Sequence, residues 1–180
     1  VSEIISHPYL ELLLDYWRAK RRGRAMPGRA DIDPTELPGR VWQHLMLLEV
    51  ERAGARELRF RYRLAGSHFE DLYGGKVSGE YVEDALDMLG GYKAYVLGIF
   101  RAVVERRLPL YTENEFILPG QSVPVLTRRL ALPLSEDGET VTMTLSGHVF
   151  ERPLGDQLTF RGGVSNFREL ARWTYREERW

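Results

Sequence analysis

Hydrophobic positions recur at helical spacing near the start of the chain and then switch to alternation. Ile5, Tyr9, Leu12, Leu13, Tyr16 and Trp17 fall on one face of a predicted helix. Ser6 can cap it, Pro8 sits in its first turn, and Gly23 stops it. Its end carries Arg18, Lys20, Arg21, Arg22 and Arg24, a cationic terminus that the helix dipole favours. Pro27, Pro34 and Pro38 then mark an extended linker, with a short helical turn expected after Asp33-Pro34. Leu45–Val50 and Leu58–Leu64 are both strand-like, and the polar stretch between them, with Gly54 inside, makes them a hairpin. In the second strand Phe60, Tyr62 and Leu64 share one face, and Arg59, Arg61 and Arg63 the other. Residues 66–79 read as irregular or as short helices. Asp87–Arg107 is a long helix with Leu89, Tyr92, Val96, Ile99, Phe100 and Val103 on one stripe. Three more strands follow at Leu110–Leu118, Val125–Leu132 and Val141–Phe150, the last two joined by a turn at Glu136-Asp137-Gly138. Asn166 and Glu169 read as a capping pair opening a final helix, with Phe167, Leu170, Ala171 and Thr174 along one side.

This order predicts an α+β fold. A five-stranded antiparallel sheet carries helices on one face, with N- and C-terminal flanking helices added. At 180 residues the chain suits one hydrophobic core, so 1–180 is read as a single domain. Within it, 1–26 hold the N-terminal helix and the start of the linker, 43–151 the core, and 163–180 the C-terminal helix.

Composition narrows the function. The net charge is −1, which supplies no bulk attraction to nucleic acid or to an anionic membrane. Basic residues are almost all arginine, scattered rather than clustered, with Lys20, Lys76 and Lys93 the lysines. Cysteine is absent, which removes disulfides, thiolate nucleophiles, iron–sulfur clusters and cysteine-linked flavins or chromophores. Residues 1–15 lack the pattern of a signal peptide, and the apolar run Tyr95–Val104 is interrupted by Arg101 and too short to span a bilayer. A soluble, cytoplasmic protein without membrane insertion is the expectation.

Three stretches carry a resemblance. They are LDYWRAKRRGRAMPGRADIDPTELP (Leu14–Pro38), FRYRLAGSHFEDLYGGKVSG (Phe60–Gly79) and LALPLSEDGETVTMTLSG (Leu130–Gly147). In this order and spacing the chain resembles the stand-alone PAS-like family found mostly in alphaproteobacteria, a PAS domain of unknown ligand. The resemblance covers roughly the first 150 residues. It implies a five-stranded PAS sheet, and a sensory or protein-interaction role in signalling. It brings no shared catalytic residues.

Candidate chemistry is sparse. His7, His44, His68 and His148 lack the paired spacing of a metal site, and no histidine lies on the long helix to ligate haem. No cofactor is expected. Ser67, His68 and Asp71 lack the setting of a nucleophilic triad, and Gly74-Gly75-Lys76 lacks the spacing of a phosphate-binding loop. Asp31, Asp33 and Glu36 suit a turn and a helix start. Arg128 shares strand parity with Leu126, Leu130 and Leu132, so it is expected on the core face, where a charge must be paired or meet a ligand. The alternatives are a β-bulge or edge position that points it outward, or an internal ion pair with Glu113 or Glu115. The ligand-binding candidates are Tyr62, His68, Tyr73, Tyr92, Phe116 and Arg128. Tyr9, Leu13, Tyr16 and Trp17 are expected either to pair two copies into a homodimer or to cover the chain's own sheet. The functional expectation is a module that binds a small molecule, a signalling partner protein, or both, without catalysis. An enzyme using a cone-shaped pocket and a purely structural dimerisation module are the alternatives.

Overall fold

A computed structural model describes residues 5–54, 57–151, 160 and 162–175. Helix α1 spans Pro8–Arg21. Its cap is His7 rather than Ser6: His7 Nδ1 accepts from the Tyr9 amide at 3.3 Å. The Ser6 hydroxyl instead donates to Glu113 at 2.7 Å. The linker holds 3-10 turns at Arg29–Asp31 and Pro34–Glu36, the second capped by Asp33 as expected, and the short helix α2 at Gly39–Trp42.

Strands β1 (Leu45–Ala53) and β2 (Glu57–Ala65) form the first hairpin. Short helices α3 (Ser67–Tyr73) and α4 (Val82–Ala85) follow. The predicted long helix is split. A 3-10 turn at Asp87–Leu89 ends at Gly90, whose φ of 53° and ψ of −125° suit glycine alone, and α5 then runs Gly91–Arg106. Its stripe of Tyr92, Val96, Ile99, Phe100 and Val103 is buried as the periodicity predicts.

Strands β3 (Leu110–Ile117), β4 (Val125–Leu134) and β5 (Met143–Glu151) form a meander. The final segment is not a helix. Ser165–Thr174 is a strand, β6, paired antiparallel along β3, so the antiparallel sheet has six strands in the order β2-β1-β5-β4-β3-β6. Asn166 is left-handed, with φ of 48°, and opens no helix. The apolar residues Phe167, Ala171 and Trp173 serve a strand whose pairing satisfies the edge of β3. Phe167 anchors it, with its ring 4.5 Å from that of Tyr95 and 5.3 Å from that of Tyr92.

The core has two layers because both sheet faces are covered. Helix α5 packs on β3 and β4, and α4 packs on β2. Helix α1 lies on the opposite face, over β4 and β5. Its Leu10, Leu13, Leu14 and Trp17 are buried there, and the Trp17 indole donates to the Pro133 carbonyl at 2.8 Å. Gly147 permits this approach, since a Cβ on it would stand 2.6 Å from Leu10 and 2.9 Å from Leu13. The assembly reading of Leu13 and Trp17 is corrected accordingly: their apolar surface is spent on the chain's own sheet. Tyr16 is tied down as well, its hydroxyl donating to the Asp33 carbonyl at 2.9 Å, and Tyr9 rests half-buried beside His44.

The alternation in β2 is observed, with Phe60 and Tyr62 buried and the arginines on the other face. Arg61 pairs with Glu51 at 2.7 Å, Arg63 with Glu49 at 3.7 Å, and Arg59 with Asp84 at 3.3 Å. A bulge that leaves Arg63 unpaired in the ladder turns Leu64 outward, against expectation. No helix among the described residues is long and apolar enough to cross a membrane.

Candidate functional site

A cavity lies between the inner face of the sheet and helices α3 and α5. Met46, Tyr62, Phe69, Tyr73, Leu86, Tyr92, Val96, Phe100, Arg129, His148, Phe150 and Phe160 line it. The strand pleat supplies Tyr62 from β2, Arg129 from β4, and His148 and Phe150 from β5. Helix α3 contributes Phe69 and Tyr73 one turn apart, with rings 4.7 Å from each other. The unfilled space admits the centre of a water-sized sphere over about 10 Å³, room for about one water.

The chemistry of the cavity comes from one cross-strand pair. Arg129 and His148 stand opposite each other in the β4–β5 ladder, and each is 2% exposed. Arg129 Nε donates to His148 Nδ1 at 3.2 Å, and Nη2 donates to the Tyr92 hydroxyl at 3.2 Å. A guanidinium only donates, so Nδ1 must accept, and the proton of the neutral imidazole sits on Nε2. Burial, the Arg129 charge and His44 hold His148 well below the ordinary histidine range, which keeps it neutral. Arg129 Nη1 and His148 Nε2 are both buried without a hydrogen-bond partner. Among the described residues Arg129 has no carboxylate partner. The rest of the lining is aromatic or aliphatic, and burial pushes the Tyr62 and Tyr73 hydroxyls up, so both stay protonated at neutral pH.

Three of the six ligand-binding candidates, Tyr62, Tyr73 and Tyr92, line this cavity. Phe116 is buried one layer behind, its ring 5.3 Å from Tyr92 and 5.6 Å from Phe160. His68 does not line it. It is exposed on α3, edge-on to the His44 ring at 4.6 Å. Arg128 does not line it either, and its role as an anchor is corrected. Its parity with Leu130 and Leu132 was read correctly, but that face is the one α1 covers. There Arg128 pairs with Glu113 at 3.3 Å and closely with Glu151.

A family model described as PAS domain matches residues 5–147. The chain belongs to the PAS domain family. Membership points to a sensory or signalling module, and the PAS match ends within β5, before β6 begins. No curated protein and no solved structure matches the chain. The two groups that carry the site's chemistry, Arg129 and His148, are not among the ligand-binding candidates read from the sequence. Their pairing does not follow from the turn: residues equidistant from Asp137-Gly138 would set Arg129 opposite Ser146, whereas the ladder is centred one residue later and sets it opposite His148. Among the described residues no cluster of acidic and histidine side chains could hold a metal.

Proposed function

We propose that this PAS domain is a sensor whose input is a small molecule held in the cavity between the sheet and α3 and α5. Its output passes to a signalling partner protein without catalysis at the site. The observation that carries this reading is the pair of buried donors, Arg129 Nη1 and His148 Nε2, unpartnered on two residues that line an otherwise largely apolar cavity. Burying a donor unpaired costs about 1–3 kcal/mol, and more when it is charged, so a fold that keeps two of them side by side is built to have them met. Small-molecule sites have this make-up, apolar walls with few polar groups. The non-catalytic reading draws support from His148, whose Nδ1 is occupied by Arg129 and whose basicity is suppressed.

Native mass spectrometry of the purified protein tests the reading. The expected result is a species heavier than the bare polypeptide by one small molecule, released unchanged on denaturation. A release product chemically altered by incubation with the protein would favour an enzyme. A bare mass in every preparation, with no thermal shift from any added small molecule, would favour a filled structural domain.

A further inference from the structure

The two unpartnered donors also define what kind of molecule fits. We infer that the cavity takes a monocarboxylate with a compact apolar body, its oxygens seated on Arg129 Nη1 and His148 Nε2. This rests on the sensor reading above and names its ligand class.

Both groups are donors only, so the ligand must present acceptors. Arg129 brings one positive charge and His148 none, so one negative charge balances the site. A carboxylate meets both counts: it has two acceptor oxygens and one charge, and it pairs with a guanidinium through charge-assisted bonds. A phosphate group, at close to two charges at neutral pH, would leave an unbalanced charge among aromatic rings. A neutral carbonyl compound would leave the guanidinium without a counter-charge. A cation would stand against the Arg129 charge, with no carboxylate among the lining residues to offset it.

The walls set the rest of the molecule. Tyr62, Phe69, Phe150 and Phe160 offer ring faces and edges to a carbon body. With room for about one water in the unliganded form, only a short-chain or single-ring acid is admissible, and its arrival must displace side chains such as Phe69 and Tyr73. The polar strip also extends past the two donors. Thr112, directly opposite Arg129 on β3, and the neighbouring Asn114 and Thr127 are fully buried with side-chain atoms unpartnered. Such a run on one face of a core sheet marks a prepared polar site rather than a single packing defect.

The test compares acids with their amides. Acetate, butyrate and benzoate, and acetamide, butyramide and benzamide, are titrated at constant ionic strength, with melting temperature and isothermal calorimetry as readouts. At least one acid is expected to raise Tm by roughly 5–10 °C at a hundredfold excess over Kd. Its amide should do nothing, and Arg129→Met should lose the effect while His148→Leu weakens binding about tenfold. Should Arg129→Met lose its folded circular dichroism signal, Arg129→Gln takes its place, and the acid–amide comparison on the wild type needs no variant at all. Equal shifts from acid and amide, or a shift that survives in the folded Arg129 variant, overturn the carboxylate while leaving a small-molecule sensor. No shift from any of the six overturns the carboxylate too, and native mass spectrometry then decides the sensor reading separately: an adduct of another class keeps it, and a bare chain removes it.

Discussion

Adjacent arginines on β4 show how much one residue of register decides. Arg128 meets two carboxylates on the α1 side, whereas Arg129 meets a neutral imidazole and a phenol on the other. Alternation along the strand fixes that they face apart, but not which side holds the cavity. That depends on where α1 lies, and nothing local to β4 records it, because the strand is buried on both faces and Leu130 and Ala131 are equally hidden. The aromatic candidates were easier to read: Tyr62 belongs to a clean alternation and Tyr92 to a helical stripe. The energetic consequence at Arg129 is testable in buffer free of carboxylates. Arg129→Met removes a buried, uncompensated charge and should leave the protein as stable as wild type or more stable, by about 1–4 kcal/mol. Urea unfolding with an unchanged m-value measures it. A loss above about 2 kcal/mol would instead make Arg129 a structural partner of Tyr92 and His148.

Among the elements, the two terminal ones were the hardest to read, for opposite reasons. The apolar stripe of α1 was plain, but a stripe states only that it must be covered. Its cover is β4 and β5, so replacing Leu13 and Trp17 with polar residues should unfold or aggregate the protein rather than yield a soluble, folded variant. Leu13→Ala alone should cost about 2–5 kcal/mol of unfolding free energy, read from chemical denaturation. At the other end, Asn166 and Glu169 mimic a helix start, and long-range pairing with β3 overrides that local preference. Phe167 is the anchor of β6. Phe167→Ala should speed amide exchange through β6 and along the β3 edge it covers, while β1 and β5 stay protected. Uniform loss of protection would show that β6 unfolds only with the whole sheet.

For the whole molecule, the histidines set the pH response. Burial, the neighbouring His68 and His7 lower His44 to about 4, against the opposing bond from its ring to the His148 carbonyl, and burial also lowers His7 and His148. Each therefore binds its proton more readily unfolded than folded. Stability is complete above about 6.5, the unfolded value, and falls as pH drops from there toward about 4. Urea midpoints at pH 7.5, 6, 5 and 4.5 should decline in that window, and His44→Gln should flatten the decline; a rising midpoint would mean that the histidines are stabilised as cations. The sheet also joins two sides that are otherwise separate. Strand β4 presents Arg129 to the cavity and its neighbour Arg128 to the α1 side. Arg128 grips Glu113, and Glu113 grips Ser6, the step just ahead of the first helix. A relay of four residues, Arg129, Arg128, Glu113 and Ser6, thus runs from the cavity lining to the start of α1.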